Sequence, residues 1–270
     1  MQAVTTAEQA VPSLARGGFN RARIRLSLDR TMLFVTLVTL WELAGRYWVD
    51  PVWSSRPSLI GERLIALAQS GDLFIHTWTT LTEATLGLAL AFVVGLPIGM
   101  AMAHYKYANE VAKPLVMALY SLPRVALAPL FIIWFGIDLF SKVFMAFSTV
   151  IFIFMLNVHE GLKTIDRDLL DLFRTMRAPR PYVFRKVILP SLVPWLIASL
   201  RIGVGLALVG AVVSELIGAS AGLGWYIERS AGRMDTTGVF VGLVALGVIA
   251  VAGNLLVDAL DRRFSSWRPA

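Results

Sequence analysis

Six long apolar runs constrain this chain more than any other feature. A helix needs about 20 apolar residues to cross about 30 Å of hydrocarbon. Runs of that size fall at roughly 31–49, 79–103, 113–135, 139–158, 191–219 and 238–258. In lipid every backbone N–H and C=O has to be satisfied within the protein, so the runs predict helices rather than an open sheet. The composition agrees. The chain is 57% hydrophobic with mean hydropathy +0.68, too apolar for a soluble domain built on one core. The expected fold class is all-α integral membrane, a polytopic bundle of about six transmembrane helices. Around it the expected domains are a basic, largely disordered arm over 1–30, a transmembrane domain over 31–260 and a tail over 261–270. The arm resembles the charged front of a signal peptide. No small-residue cleavage site follows it, so the first run reads as a retained span. Between the first two runs, PSLIGERLIALAQS has Leu59, Leu64 and Leu67 at helical spacing after Pro57 and Ser58, and predicts a surface helix.

Charge sets the orientation. Lys and Arg exceed Asp and Glu in the arm (Arg16, Arg21, Arg23, Arg25 and Arg30 against Glu8 and Asp29), across residues 159–190, and in the tail. Lys113 adds one positive charge beside the second loop. With six spans these places share one side, and the excess of basic residues makes that side the cytosol. Both termini are therefore expected in the cytoplasm, and the protein is expected as a multi-pass component of a bacterial plasma (inner) membrane. The formal charge of +7 is explained this way, without a nucleic-acid partner.

The longest polar interruption is the segment 165–190. From Glu160 to Pro190 it has seven Lys/Arg against four Asp/Glu. Within it Leu169, Leu172, Phe173 and Met176 recur at i, i+3, i+4 and i+7, one face of a helix, with Asp168 and Asp171 off that stripe. Pro179 and Pro181 are expected to stop the helix. A short amphipathic helix held in the cytosol between two spans is a handle for something outside the membrane.

Inside the runs, three ionisable residues stand out: Arg124 in the third, Arg201 and Glu215 in the fifth, with Glu83 near the outer end of the second. A charge at that depth costs about 2.5–3.5 kcal/mol on insertion scales and needs a partner or a wet cavity. Arg124 and Arg201 are expected at similar depth near mid-membrane. Either Arg124 or Arg201 raises the positive potential of an anion path, or the arginines pair within the bundle; Glu215, expected near the outer face like Glu83, is a third candidate for the path. Gly95 and Gly99, Gly203, Gly205 and Gly210, and Gly238 and Gly242 predict close helix packing. Pro97, Pro114, Pro123 and Pro129 are expected to interrupt the second and third spans. Glu42 and Arg46, four apart, predict an ion pair.

Several chemistries are excluded. The chain has no cysteine, which removes disulfides and thiolate zinc sites. It has no GxxxxGK[ST] loop for ATP phosphates. There is no HExxH and no Ser-His-Asp arrangement, and the three histidines (His76, His104, His159) lie far apart near expected membrane boundaries. No metal site and no cofactor are expected in this chain, and no enzymatic activity of its own.

The segment from Asp171 to Pro190 resembles the cytosolic signature of ABC importer permeases, which runs Glu-Ala-Ala, then Gly six residues after the Glu, then a β-branched residue and Leu-Pro. Here Asp171 takes the acid place, Leu172 and Phe173 the alanines, Arg177 the glycine, and Val187, Leu189 and Pro190 the ending. Arg177 replaces the residue best suited to a left-handed helix end. LPRVALAPLFIIWFGI (Leu122 to Ile137) and LRIGVGLALVGAVVSELIGASAGLGWYI (Leu200 to Ile227) resemble the nitrate, sulfonate, taurine and bicarbonate group of these permeases, and the similarity spans roughly residues 30–265. The resemblance implies a type I ABC importer fold with a cytosolic coupling helix. It implies two permease copies, expected as a homodimer, two ABC ATPase subunits that bind ATP and Mg, and a solute-binding protein. Asp168, Leu169, Asp171, Leu172, Phe173, Met176, Arg177 and Ala178 are then the expected ATPase-coupling residues. Expected cargo is a small anion such as nitrate, bicarbonate or an alkyl or aromatic sulfonate. The alternative is a stand-alone secondary transporter driven by an ion gradient.

Overall fold

The computed structural model describes residues 16–264; the rest of the expected arm, and of the tail from residue 265, lies outside the described residues. In chain order the helices are α1 (Arg16–Tyr47), α2 (Pro51–Ser54), α3 (Pro57–Ser70), α4 (Asp72–His104), α5 (Lys106–Ser121), α6 (Ala128–Phe135), α7 (Leu139–Lys163), α8 (Arg167–Thr175), α9 (Arg180–Val183), α10 (Leu189–Ile217), α11 (Leu223–Ala231) and α12 (Thr236–Phe264). No strand occurs among the described residues. The chain divides into two units, one ending at Leu59 and one beginning at Ile60.

In the first unit, α1 begins at Arg16, so the second half of the arm expected to be disordered is helical. No proline interrupts Arg16–Tyr47, and Arg, Ala and Leu are good helix formers. Glu42 is not joined to Arg46 as its spacing suggested. Its carboxylate accepts hydrogen bonds from the Ser58 backbone N–H (3.0 Å) and Ser58 Oγ (2.9 Å). The carboxylate thereby satisfies an open N–H in the first turn of α3, the place where negative charge is favoured. α3 is the predicted surface helix.

The second unit is organised on α7, which lies between α4 and α10. The approach is close because glycines face it from both sides. A Cβ on Gly99 would stand 2.6 Å from the Met155 carbonyl oxygen, and one on Gly95 2.8 Å from Phe154 Cβ. From α10, a Cβ on Gly210 would stand 2.7 Å from Ala146 Cα, while Gly203 meets Leu88 and Val150. Gly238 and Gly242 pack on Ser230 and Ile227, whereas Gly205 faces nothing within 4 Å. Around these contacts Ala91, Val150, Phe154, Ala207 and Ala211 form a fully buried core. Phe92 meets the edge of Phe154 at 5.5 Å.

Four helices are long and apolar enough to cross a membrane: Asp72–His104, Leu139–Lys163, Arg180–Ile217 and Thr236–Phe264. A bent pair makes a fifth if it counts as one span, against the six expected. α1 falls outside this set because threonines, Glu42 and Arg46 dilute its apolar run. The run 113–135, expected as one interrupted span, is instead two helices whose axes turn by 87° between Asn109–Ser121 and Arg124–Phe135. Only one of the four expected prolines makes that break. Pro123 forces Leu122 into an extended conformation (φ −64°, ψ 138°). Pro97 and Pro114 are absorbed within continuous helices, and Pro129 sits in the first turn of α6, where a missing N–H costs nothing. Similarly Pro181 starts a helix rather than stopping one. From Arg180 the chain runs without interruption into α10 through a widened turn over Phe184–Ile188, just before Pro190 removes a donor from the ladder.

Candidate functional site

At one end of the bundle, α8 projects between α7 and α10. Asp166 caps it by accepting a hydrogen bond from the Asp168 N–H at 2.9 Å. Its far end closes in a double bond pattern. The Ala178 N–H reaches the Phe173 carbonyl (3.0 Å) and the Arg177 N–H reaches that of Arg174 (2.9 Å), which requires a left-handed residue between them. Arg177 supplies it, with φ +53°. The place where the family signature has glycine is thus left-handed here as well, although an arginine occupies it.

The predicted apolar stripe of α8 divides between two faces. Leu169, Leu172 and Met176 point outward and are 39%, 54% and 68% exposed. Phe173 turns back toward the chain, with its ring 6.1 Å from that of Tyr182, and Ala178 is half-buried. Asp171 holds Arg174 in a 2.7 Å ion pair. Asp168 is exposed in the first turn. Behind α8 lies a cavity of about 680 Å³, whose wall includes His104, Arg174, Arg177 and Arg180.

The three ionisable residues of the expected pathway lie apart. Arg124 stands at the break between α5 and α6. It donates to the Tyr120 carbonyl (3.0 Å) and the Thr149 carbonyl (3.4 Å) and lies over the rings of Tyr120 (4.9 Å) and Phe152 (5.4 Å). It caps the Tyr120 carbonyl at the end of α5 and ties the break to the middle of α7 through Thr149. Arg201 pairs with Asp258 (2.8 Å) and Asp261 (3.4 Å) in the closing turns of α12 and is half exposed. Arg201 itself lies midway along α10, while both of its partners belong to the last two turns of α12. Glu215 is 1% exposed.

Glu215 belongs to a buried polar cluster at the end of the bundle away from α8. Its Oε1 accepts from Thr80 Oγ1 at 2.7 Å and its Oε2 from the Gly224 N–H at 2.5 Å. Thr80 Oγ1 in turn accepts from the Leu223 N–H at 2.8 Å, and His76 Nδ1 from the Gly222 N–H at 3.2 Å. Three open N–H groups at the start of α11 are therefore held by side chains of α4 and α10. Glu83 and Lys142, both buried, complete the cluster; Lys142 Nζ donates to the Ile137 carbonyl. Glycine is required at 222 and 224. Gly222 has φ +116°, and a Cβ on Gly224 would stand 2.8 Å from Glu215 Oε2. Sequence reasoning placed Glu83 and Glu215 near one face but missed Lys142 and Thr80. The available signal was a lysine three residues into an otherwise apolar helix.

Beyond this cluster a cavity of about 430 Å³ opens between α3, the first turns of α4, and α11. Arg229 lies 4.9 Å over the Trp225 ring, and His76 is 5.1 Å from the same ring. Arg63 bridges to Asp235 at 2.8 Å, which also accepts from the Gly238 N–H and so caps α12. Burial pushes the Tyr226 hydroxyl above the ordinary tyrosine range, and Arg63 partly opposes it.

Residues 95–266 match the family described as binding-protein-dependent transport system inner membrane component. The formylaminopyrimidine transport permease protein ThiX of Halalkalibacterium halodurans is 33% identical over 90% of this chain and 96% of that protein. The taurine transport system permease protein TauC of Escherichia coli is 28% identical over 90% of each. The putative aliphatic sulfonates transport permease protein SsuC of Bacillus subtilis is 29% identical over 88% of this chain and 86% of that one. Among solved structures, an inward-facing conformation of the MetNI methionine ABC transporter has the same fold. Its TM-score is 0.58 at 20% identity, covering 71% of this chain and 97% of that one.

Proposed function

Since the chain belongs to the family of binding-protein-dependent transport system inner membrane components, the ABC importer permeases, we propose that it forms the pore for a small sulfonate-like anion. In this reading it receives the cargo from a separate solute-binding protein and is driven by two copies of an ABC ATPase gripping α8. A second copy of the chain completes the pore, ATP and Mg stay with the ATPase, and α8 and both termini face the cytoplasm. The membrane placement follows from the family and the apolar helices: this is a multi-pass inner-membrane protein.

The observation that carries the coupling role is the outward face of α8. Leu169, Leu172 and Met176 stand exposed on a helix capped at both ends. Held rigid in this way, the face can transmit a push. Asp168, Asp171 and Arg177 frame it, while Phe173 and Ala178 tie it to the bundle. ATP binding then shifts the pore between inward and outward states, because ATP binds the two states of the ATPase pair with different affinity.

For the cargo, the support is the likeness to taurine and aliphatic sulfonate permeases. Arg124 and Arg201 do not add to it, because both are engaged by carbonyls, rings or carboxylates. A second reading, a heteroaromatic cargo, is favoured by the ThiX likeness along nearly the whole of that protein. Reconstitution with the partner ATPase and binding protein in proteoliposomes tests all of this. Uptake of taurine or an alkylsulfonate that requires ATP supports the first reading. ATP-dependent uptake of formylaminopyrimidine alone supports the second. Uptake by this chain without an ATPase, under an ion gradient, overturns the coupling role.

A further inference from the structure

We propose that the cavity behind α8 binds a phosphate-class anion, gripped by Arg174, Arg177 and Arg180 beside His104. The cavity is about 680 Å³, and no Asp or Glu is among the residues lining it. Arg174 shares its charge with Asp171. Arg177 and Arg180 have no carboxylate partner among the described residues. Two exposed guanidinium groups without a carboxylate partner on the wall of one cavity suit a tetrahedral oxyanion, because each presents a fork that matches two of its oxygens.

Arg177 carries the argument further. It holds a left-handed backbone at φ +53°, a conformation that costs a residue with a side chain about 1–2 kcal/mol and costs glycine almost nothing. A helix end alone would be better served by glycine. An arginine there is explained if its guanidinium is needed in the cavity.

The floor is apolar: Leu170, Phe173, Phe184 and Ile188 are half-buried around it. His104 is the last residue of α4, so the cavity lies at the level where a membrane helix ends. A phospholipid headgroup fits both features, with its phosphate on the arginines and its glycerol and upper acyl carbons on the floor. A soluble phosphate offers the same charged chemistry without the apolar part. The inference does not depend on the cargo, and although Arg177 also borders the face proposed for the ATPase, the test below uses the permease chain alone.

The test uses the purified full chain. Native mass spectrometry measures retention of phosphatidylglycerol against phosphatidylcholine, and a thermal-shift series measures the effect of inorganic phosphate against chloride. Variants are Arg177→Gly with Arg180→Gln, and separately Arg177→Lys. Glycine suits the left-handed position, so the double variant keeps the turn; circular dichroism checks the fold. The wild type is expected to prefer phosphatidylglycerol by about tenfold and the double variant to lose that preference. Arg177→Lys should keep part of it, since it retains charge but not the fork. If inorganic phosphate raises Tm in the wild type only, with no headgroup preference, the anion is soluble and the site stands. Equal retention of both lipids with no phosphate effect in the wild type overturns the site. So does unchanged binding in the folded double variant.

Discussion

Thr80 and Glu215 are 135 residues apart in sequence and joined by a 2.7 Å hydrogen bond from hydroxyl to carboxylate. Through Thr80 the same contact reaches the Leu223 N–H, so α4, α10 and the start of α11 meet at one hydroxyl. Thr80→Val keeps the shape and removes the hydroxyl. It leaves the Leu223 N–H and one carboxylate oxygen without their partner, which costs about 1–3 kcal/mol. The expected result is a lower Tm in detergent, with hydrogen exchange speeding first at Leu223 and Gly224. Unchanged exchange there would count against the cluster as the anchor of α11.

The turn after α8 predicts a gain. Arg177→Gly relieves a left-handed side chain and should stabilise the helix end by about 0.5–1 kcal/mol after allowing for the freer unfolded chain. Slower hydrogen exchange at Arg177 and Ala178 would show it. Faster exchange would mean that the arginine side chain contributes more than its backbone costs.

The outward face of α8 predicts a loss of coupling without a loss of fold. Leu172→Asp puts a charge where an apolar partner surface is expected and should lower ATPase stimulation by the permease at least tenfold, about 1.4 kcal/mol or more of contact energy. The Tm of the permease alone should move little, because Leu172 is 54% exposed. If stimulation survives, the ATPase grips another surface.

The helix contacts predict a packing penalty. Gly99→Leu drives a side chain into Met155 and Val158 and should cost about 1–3 kcal/mol or separate α4 from α7. Gly205→Leu, at a glycine with nothing within 4 Å, is the control and should leave Tm nearly unchanged.

Arg201 predicts a modest, coupled effect. Its pair with Asp258 is about half exposed on both sides, so a double-mutant cycle of Arg201→Gln and Asp258→Asn should give a coupling below about 1 kcal/mol. Loss of transport in Arg201→Gln with Tm intact would return this residue to the pathway.

Reading the sequence could identify what hydropathy and short-range spacing encode. Helices over the apolar runs, the α3 surface helix and the α8 handle all follow from local periodicity. So does the general role of the glycines, since small residues four apart mark a close face whatever lies opposite. The tertiary structure decided what depends on partners distant in the chain. It broke one expected span at Pro123 while absorbing Pro97 and Pro114, because a proline breaks a helix only where its neighbours do not re-satisfy the backbone. It assigned Arg124 to the Tyr120 and Thr149 carbonyls, Arg201 to two aspartates and Glu215 to a threonine. Each residue announces its need for a partner, since charge in an apolar medium is costly. The partner lies 57 residues away for Arg201 and 135 for Glu215, and only the packing of α10 against α12 and α4 brings it within hydrogen-bond reach.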